Sequence, residues 1–178
     1  PVKGHDALLR AFAAARLREP AISLVLAGAG PLRAAPERRA RLLGLEDAVT
    51  FAGYLPREEL LDGLARGRYG GVVLASGERG SEMEGVPSIL IEAMSLGVPC
   101  VATLSGGVKE LLDENCGFTV EPGDVEGLAR ALLRWYREPE EARRRAAAGR
   151  ARAWALHAPE RAAEGLCSLF AAASADGA

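Results

Sequence analysis

Between residues 4 and 120, five short apolar runs alternate with segments of helical spacing, and none of the runs shows a period-two pattern. Strands of this kind are buried on both faces, so the order argues for a parallel sheet with helices on either side and right-handed crossovers. The predicted strands cover 21–27, 49–51, 71–75, 99–103 and 117–120. The predicted helices cover 4–18, 32–43, 57–66, 87–96 and 107–113, then 124–137, 139–155 and 159–173 in a helical tail. Glycine and proline punctuate the ends: Glu19-Pro20, Gly44, and Gly97 with Pro99. In such a sheet a ligand binds beyond the carboxyl ends of the strands, against helix N-termini. The junctions at 27–31, 51–56 and 75–88 are therefore the places to look.

Composition narrows the partners. The 178 residues carry 22 basic and 24 acidic side chains, a net charge of −2, which gives no field to gather nucleic acid. At 49% hydrophobic and 26% charged, the chain suits a packed domain rather than a disordered one. Its longest apolar stretches, such as 22–30, fall well short of the roughly 20 residues a spanning helix needs. No basic-then-apolar leader opens the sequence, so the expectation is a cytoplasmic domain. Cys100, Cys116 and Cys167 have neither paired nor zinc-like spacing and read as reduced core residues. Glu140 and Glu141 open a helix whose later turns hold Arg143, Arg144, Arg145, Arg150 and Arg152. That order suits the helix dipole and reads as a solvated face; a weak peripheral contact with an anionic membrane is its rival.

Two motifs bear on chemistry. Gly28-Ala29-Gly30 ends a strand and precedes a helix, but Arg33 replaces the third glycine of a dinucleotide fingerprint, and Phe51-Ala52 stands where the ribose acid belongs. A nicotinamide or flavin site is disfavoured, leaving a tight turn or a nearby ligand. The second motif is Glu84-Gly85-Val86-Pro87-Ser88-Ile89-Leu90-Ile91-Glu92. Pro87 fits the first turn of a helix, Gly85 permits close backbone approach, and the amides of Ser88 and Ile89 are placed to meet an anion. Glu84 before the helix and Glu92 inside it flank that anion site. They suit a ligand with both phosphate and polyols, such as a nucleotide-sugar. A loop acid and a capping or core acid is the competing account.

With these motifs on the page, the chain resembles the C-terminal, donor-binding half of a GT-B, family 4 retaining glycosyltransferase, the glycosyl transferases group 1. The resemblance lies in an ordered series: KGHDALL (3–9), LVLAGAGPL (24–32), VTFAGYL (49–55) and EGVPSILIEAMSLGVPCVAT (84–103). Gly106-Gly107 with Glu110-Leu111, Gly117-Phe118 and Pro122-Gly123-Asp124 complete it. It implies a Rossmann-like domain over 1–178, with an α/β core to about 156 and a C-terminal helix beyond. Set against the family pattern, the domain's first strand and the N-terminal acceptor domain are expected to lie outside these residues, and the fragment alone is expected to be inactive.

By the same resemblance, Lys3 neutralises the donor diphosphate, and Glu84 with the Gly85–Pro87 backbone holds the transferred sugar. Glu92 accepts from the ribose, while Ser88 and Ile89 meet the phosphates. Gly53, Tyr54 and Leu55 meet the base, and Gly28 and Gly30 lie close to the donor. The donor is a UDP-, GDP- or ADP-sugar and the acceptor a sugar, lipid or other hydroxyl, with no metal or other cofactor and no nucleic acid. A non-catalytic nucleotide-sugar-binding module and a GT-B 2-epimerase are the alternatives.

Overall fold

The computed structural model describes residues 3–30, 34–77 and 85–157. Elements run α1 (His5–Arg16), β1 (Leu24–Ala27), α2 (Ala34–Leu42), β2 (Val49–Gly53), α3 (Arg57–Ala65) and β3 (Val72–Leu74). Then follow α4 (Ser88–Ser95), β4 (Cys100–Thr103), α5 (Val108–Leu111), β5 (Phe118–Val120), α6 (Val125–Arg137) and α7 (Pro139–His157). The expected alternation is present and every strand pairing is parallel. The predicted helix at 159–173 lies outside the described residues.

Helix spacing decides what is buried. In α1, Leu8, Leu9, Ala11, Phe12 and Ala15 form one buried stripe, and the helix packs on α6 and α2. In α4, Leu90, Ala93 and Met94 are almost fully enclosed. That helix stops as the sequence predicts: Gly97 takes φ +72°, its N–H donates to the Met94 carbonyl, and the Val98 N–H reaches the Ala93 carbonyl. Cys100 and Cys116 are buried free thiols. Burial, with Cys116 nearby, pushes the Cys100 thiol up to about 12, as a core residue requires.

Two expectations need revision. The single sheet is split among the described residues into β1-β2 and β3-β4-β5. β1 and β3 face one another across an open cavity of about 1340 Å³, and Leu8, Phe12, Leu132 and Trp135 also line it. Nothing described supplies the strand that would join the two edges. The Arg-rich helix α7 is also less solvated than its composition suggests. The Arg145 side chain is only 12% exposed; it donates to the Gly117 carbonyl at 2.6 Å and stacks 4.8 Å from the Phe118 ring centre. Burial raises the Glu141 carboxyl, but hydrogen bonding from Arg145 and the charges of Arg145 and Arg134 prevail and hold it at about 2. Arg152 pairs with Asp113 at 3.0 Å. Among the described residues no helix is long and apolar enough to cross a membrane.

Candidate functional site

Residues at the carboxyl ends of three strands, Gly28 after β1, Gly53 of β2 and Ala75 after β3, line the cavity. Lys3, Gly28, Gly30, Gly53, Leu55 and Ile89 all line it. These six are among the residues expected in the site from sequence, whereas Tyr54, Gly85, Val86, Pro87, Ser88 and Glu92 are not among the residues lining the cavity. Glu84 lies outside the described residues.

Each junction is held by local geometry. Gly4 takes φ +60°, and a Cβ there would fall 1.7 Å from the Ala75 carbonyl oxygen, so the turn carrying Lys3 sits directly on the end of β3. Just past that end, the Ser76 carbonyl accepts from the Thr103 hydroxyl at 2.6 Å. Beside the lysine, burial first and then the Lys3 charge hold the His5 imidazole below its ordinary value, so it is neutral at pH 7. At the second junction the Gly28 N–H donates to the Gly53 carbonyl at 2.7 Å. The register shifts at the same place, between Leu26 and Ala27. The Gly28 amide thus joins two strand ends, a tight-turn role that leaves its neighbourhood to the donor untouched. Gly30 has open space around it. Tyr54 is exposed and Leu55 partly buried on the turn that follows Gly53.

The third junction starts α4. Pro87 is not in the first turn, as its fixed φ suggests, but is the residue before it, with φ −77° and ψ 114°. A proline's φ fits both positions; its extended ψ makes it the cap. The Leu90 and Ile91 N–H groups return to the Pro87 carbonyl. Among the described residues no side chain caps the helix, and the first-turn amides of Ser88 and Ile89 have no intrahelical acceptor. Gly85, Val86 and Ser88 are exposed there.

Glu92 lies on the second turn of α4 with its side chain 20% exposed, and its Oε1 accepts from Arg57 Nε at 2.8 Å. Both readings of this acid survive in one arrangement: it is a partly buried structural acceptor, and it stands one turn from the uncapped amides. Nothing in the sequence singles out Arg57. Gly107 is likewise absent from the site expected from sequence. A Cβ there would come within 2.8 Å of the Val86 nitrogen and 2.9 Å of its Cα, so the loop after β4 braces the backbone leading into α4. Within that loop Ser105 is buried, and its hydroxyl has no partner among the described residues.

A Cβ at Gly107 would press on both the side chain and the main chain of Val86, and the main chain cannot swing aside. Gly107→Ala should displace the Val86 main chain and weaken any ligand held at the α4 N-terminus, at a stability cost of about 1–3 kcal/mol. Calorimetric titration beside a urea melt checks both; unchanged affinity in a destabilised variant would confine the glycine to packing.

Among the described residues, no three His, Cys, Asp or Glu side chains gather as a metal-binding group. The site offers one lysine, a helix start, glycine turns and a carboxylate. That set can seat an anion flanked by hydroxyl-bearing groups.

Comparison with known proteins identifies the family. The family model described as "Glycosyl transferases group 1" matches residues 1–152. The chain is 34% identical over 157 residues to the GDP-mannose-dependent alpha-(1-6)-phosphatidylinositol monomannoside mannosyltransferase of Mycolicibacterium smegmatis, covering 88% of this chain and 41% of that protein. Among solved structures it is similar to sucrose-phosphate synthase from Thermosynechococcus elongatus, with TM-score 0.77 and 30% identity over 98% of this chain and 43% of that one. It also resembles Anabaena HepE in complex with UDP and glucose, with TM-score 0.78 and 25% identity over 94% of this chain and 46% of that one. The chain therefore spans less than half the length of these relatives.

Proposed function

The chain belongs to the group 1 glycosyl transferases, and from that premise we propose that it is the donor-binding half of a retaining, metal-independent GT-B enzyme. One observation supports the reading: Lys3 and the glycine turns at the ends of β1 and β2 line the cavity that α4 borders through Ile89, and Glu92 lies one turn into that helix. A nucleoside diphosphate fits this set. Its phosphates lie against the Ser88 and Ile89 amides and Lys3, its ribose against Glu92, and its base against the turn at Gly53, Tyr54 and Leu55.

The transferred sugar then extends toward the backbone of Gly85, Val86 and Pro87, with Glu84 as its second acid. In the whole enzyme an acceptor hydroxyl, held by a further domain, attacks the anomeric carbon. The bond from that carbon to the diphosphate oxygen breaks, and the new bond forms on the same face. The acceptor proton leaves on the departing phosphate. The protein's own part is orientation and charge stabilisation. In this reading the length of the cavity along β1 and β3 would take a further strand that merges the two sheets, and its rim at Lys3, Gly28, Gly53 and Ile89 would remain for the donor. GDP-mannose in one relative's name and UDP in another's structure leave the base to be found by titration.

The test is calorimetric titration of the full-length enzyme with UDP, GDP and ADP. One should bind, and Glu92→Gln should weaken it about tenfold, the loss expected when hydrogen bonds to a charged acceptor are removed. An unchanged dissociation constant would remove the ribose role. Assays with the matching sugar separate the activities: transfer only in the presence of an acceptor supports the proposal. Binding without transfer points to a module, and an altered sugar without acceptor points to an epimerase.

A further inference from the structure

We infer that Arg57 is a positioning residue for nucleotide recognition, holding one oxygen of Glu92 so that the other is presented to the ribose hydroxyls. This rests on the ribose role proposed for Glu92.

The geometry sets the roles of the two oxygens. Arg57 is the first residue of α3 and follows directly on the turn 53–56, so its main chain is fixed by the segment proposed to meet the base. Its Nε donates to Oε1 of Glu92 at 2.8 Å. The two helices are locked by apolar packing: Leu64 and Leu90 are buried in one cluster, with Leu60, Leu61, Ile89 and Ile91 against it. The pair therefore bridges two rigid elements 35 residues apart in sequence. A glutamate on a helix has three side-chain torsions to fix before it can accept a hydroxyl pair. A guanidinium on one oxygen fixes them in advance, and the lone pairs of Oε2 remain for the ligand. The pair also ties the turn at Gly53 to the acid on α4, so base and ribose are read at a set separation.

The Arg57 side chain is 69% exposed and that of Glu92 is 20% exposed. An ion pair this open adds little to folding. Its consequence should instead appear where the carboxylate is needed in one orientation.

The experiment uses the full-length enzyme and whichever of UDP, GDP and ADP binds it. Arg57→Ala should weaken that nucleotide about three- to fivefold, the range of an exposed ion pair. It should leave the 2′,3′-dideoxy nucleoside diphosphate unchanged, because that ligand makes no demand on Glu92. Arg57→Lys should recover part of the loss, and Arg57→Ala should add nothing once Glu92→Gln is present. Equal losses for the ribose and dideoxy ligands, or tighter binding by Arg57→Ala, would overturn the inference; the latter would make the arginine a competitor for the acid. If Glu92→Gln itself leaves ribonucleotide affinity unchanged, the ribose reading falls. If Glu92→Gln weakens binding and Arg57→Ala does not, only the positioning role falls.

Discussion

Gly4→Ala should be among the most damaging single substitutions in the chain, lowering stability by about 2–5 kcal/mol when the left-handed backbone cost and the steric overlap are combined. Gly44→Ala isolates the first of these terms. Both glycines lie near φ +60°, but a Cβ at Gly44 would meet no heavy atom within 4 Å, whereas at Gly4 the Ala75 carbonyl oxygen would be 1.7 Å away. Gly44 also closes α2, where the Leu45 N–H returns to the Ala40 carbonyl at 3.0 Å, so it keeps its left-handed turn and loses only about 1–2 kcal/mol as alanine. Urea melts of the two variants should separate by the clash alone. Equal losses would show that the Lys3–Gly4 turn does not rest on β3 in solution. Because that turn carries Lys3, nucleotide affinity should fall with Gly4→Ala and remain intact with Gly44→Ala.

Local features of the sequence foretell most of the elements. Apolar runs without alternation mark the parallel strands, and the Gly97 stop of α4 follows from glycine's freedom at positive φ. Of the residues that sequence motifs single out for a site, Lys3, Gly53, Leu55 and Ile89 line one cavity, since each motif lies at the end of a strand or the start of a helix. What is not legible depends on partners distant in the chain. The commitment of the Gly28 amide to the Gly53 carbonyl, the brace of Gly107 on Val86 and the Arg57–Glu92 pair leave no periodic trace. The split sheet is of the same kind: β1 and β3 each carry a strand's composition, and nothing in either shows which strand lies beside it. Arg145 escapes a sequence reading because a charged run resembles a solvated face until a ring and a carbonyl are found beneath one member.

Lys3→Ala in the full-length enzyme should reduce kcat by about 10²–10³, the usual loss when one preorganised charge-stabilising group is taken from a developing anion. In the proposed reaction, negative charge accumulates on the diphosphate as the sugar leaves. Lys3 lines the same cavity as the glycine turns, and its backbone is fixed by the Gly4–Ala75 contact. The effect should fall more on kcat than on the donor's KM, since the charge it meets is larger in the transition state than in the bound donor. In binding, the variant should lose more affinity for a nucleoside diphosphate than for the nucleoside. Lys3→Arg should recover only part of the rate, because a planar guanidinium replaces a compact ammonium. Lys109→Ala, the chain's other lysine and exposed on α5, serves as the control and should leave both constants unchanged. Equal losses of nucleoside and diphosphate binding, or an unaltered kcat, would take the leaving-group role from Lys3 and return the phosphate to the amides of α4 alone.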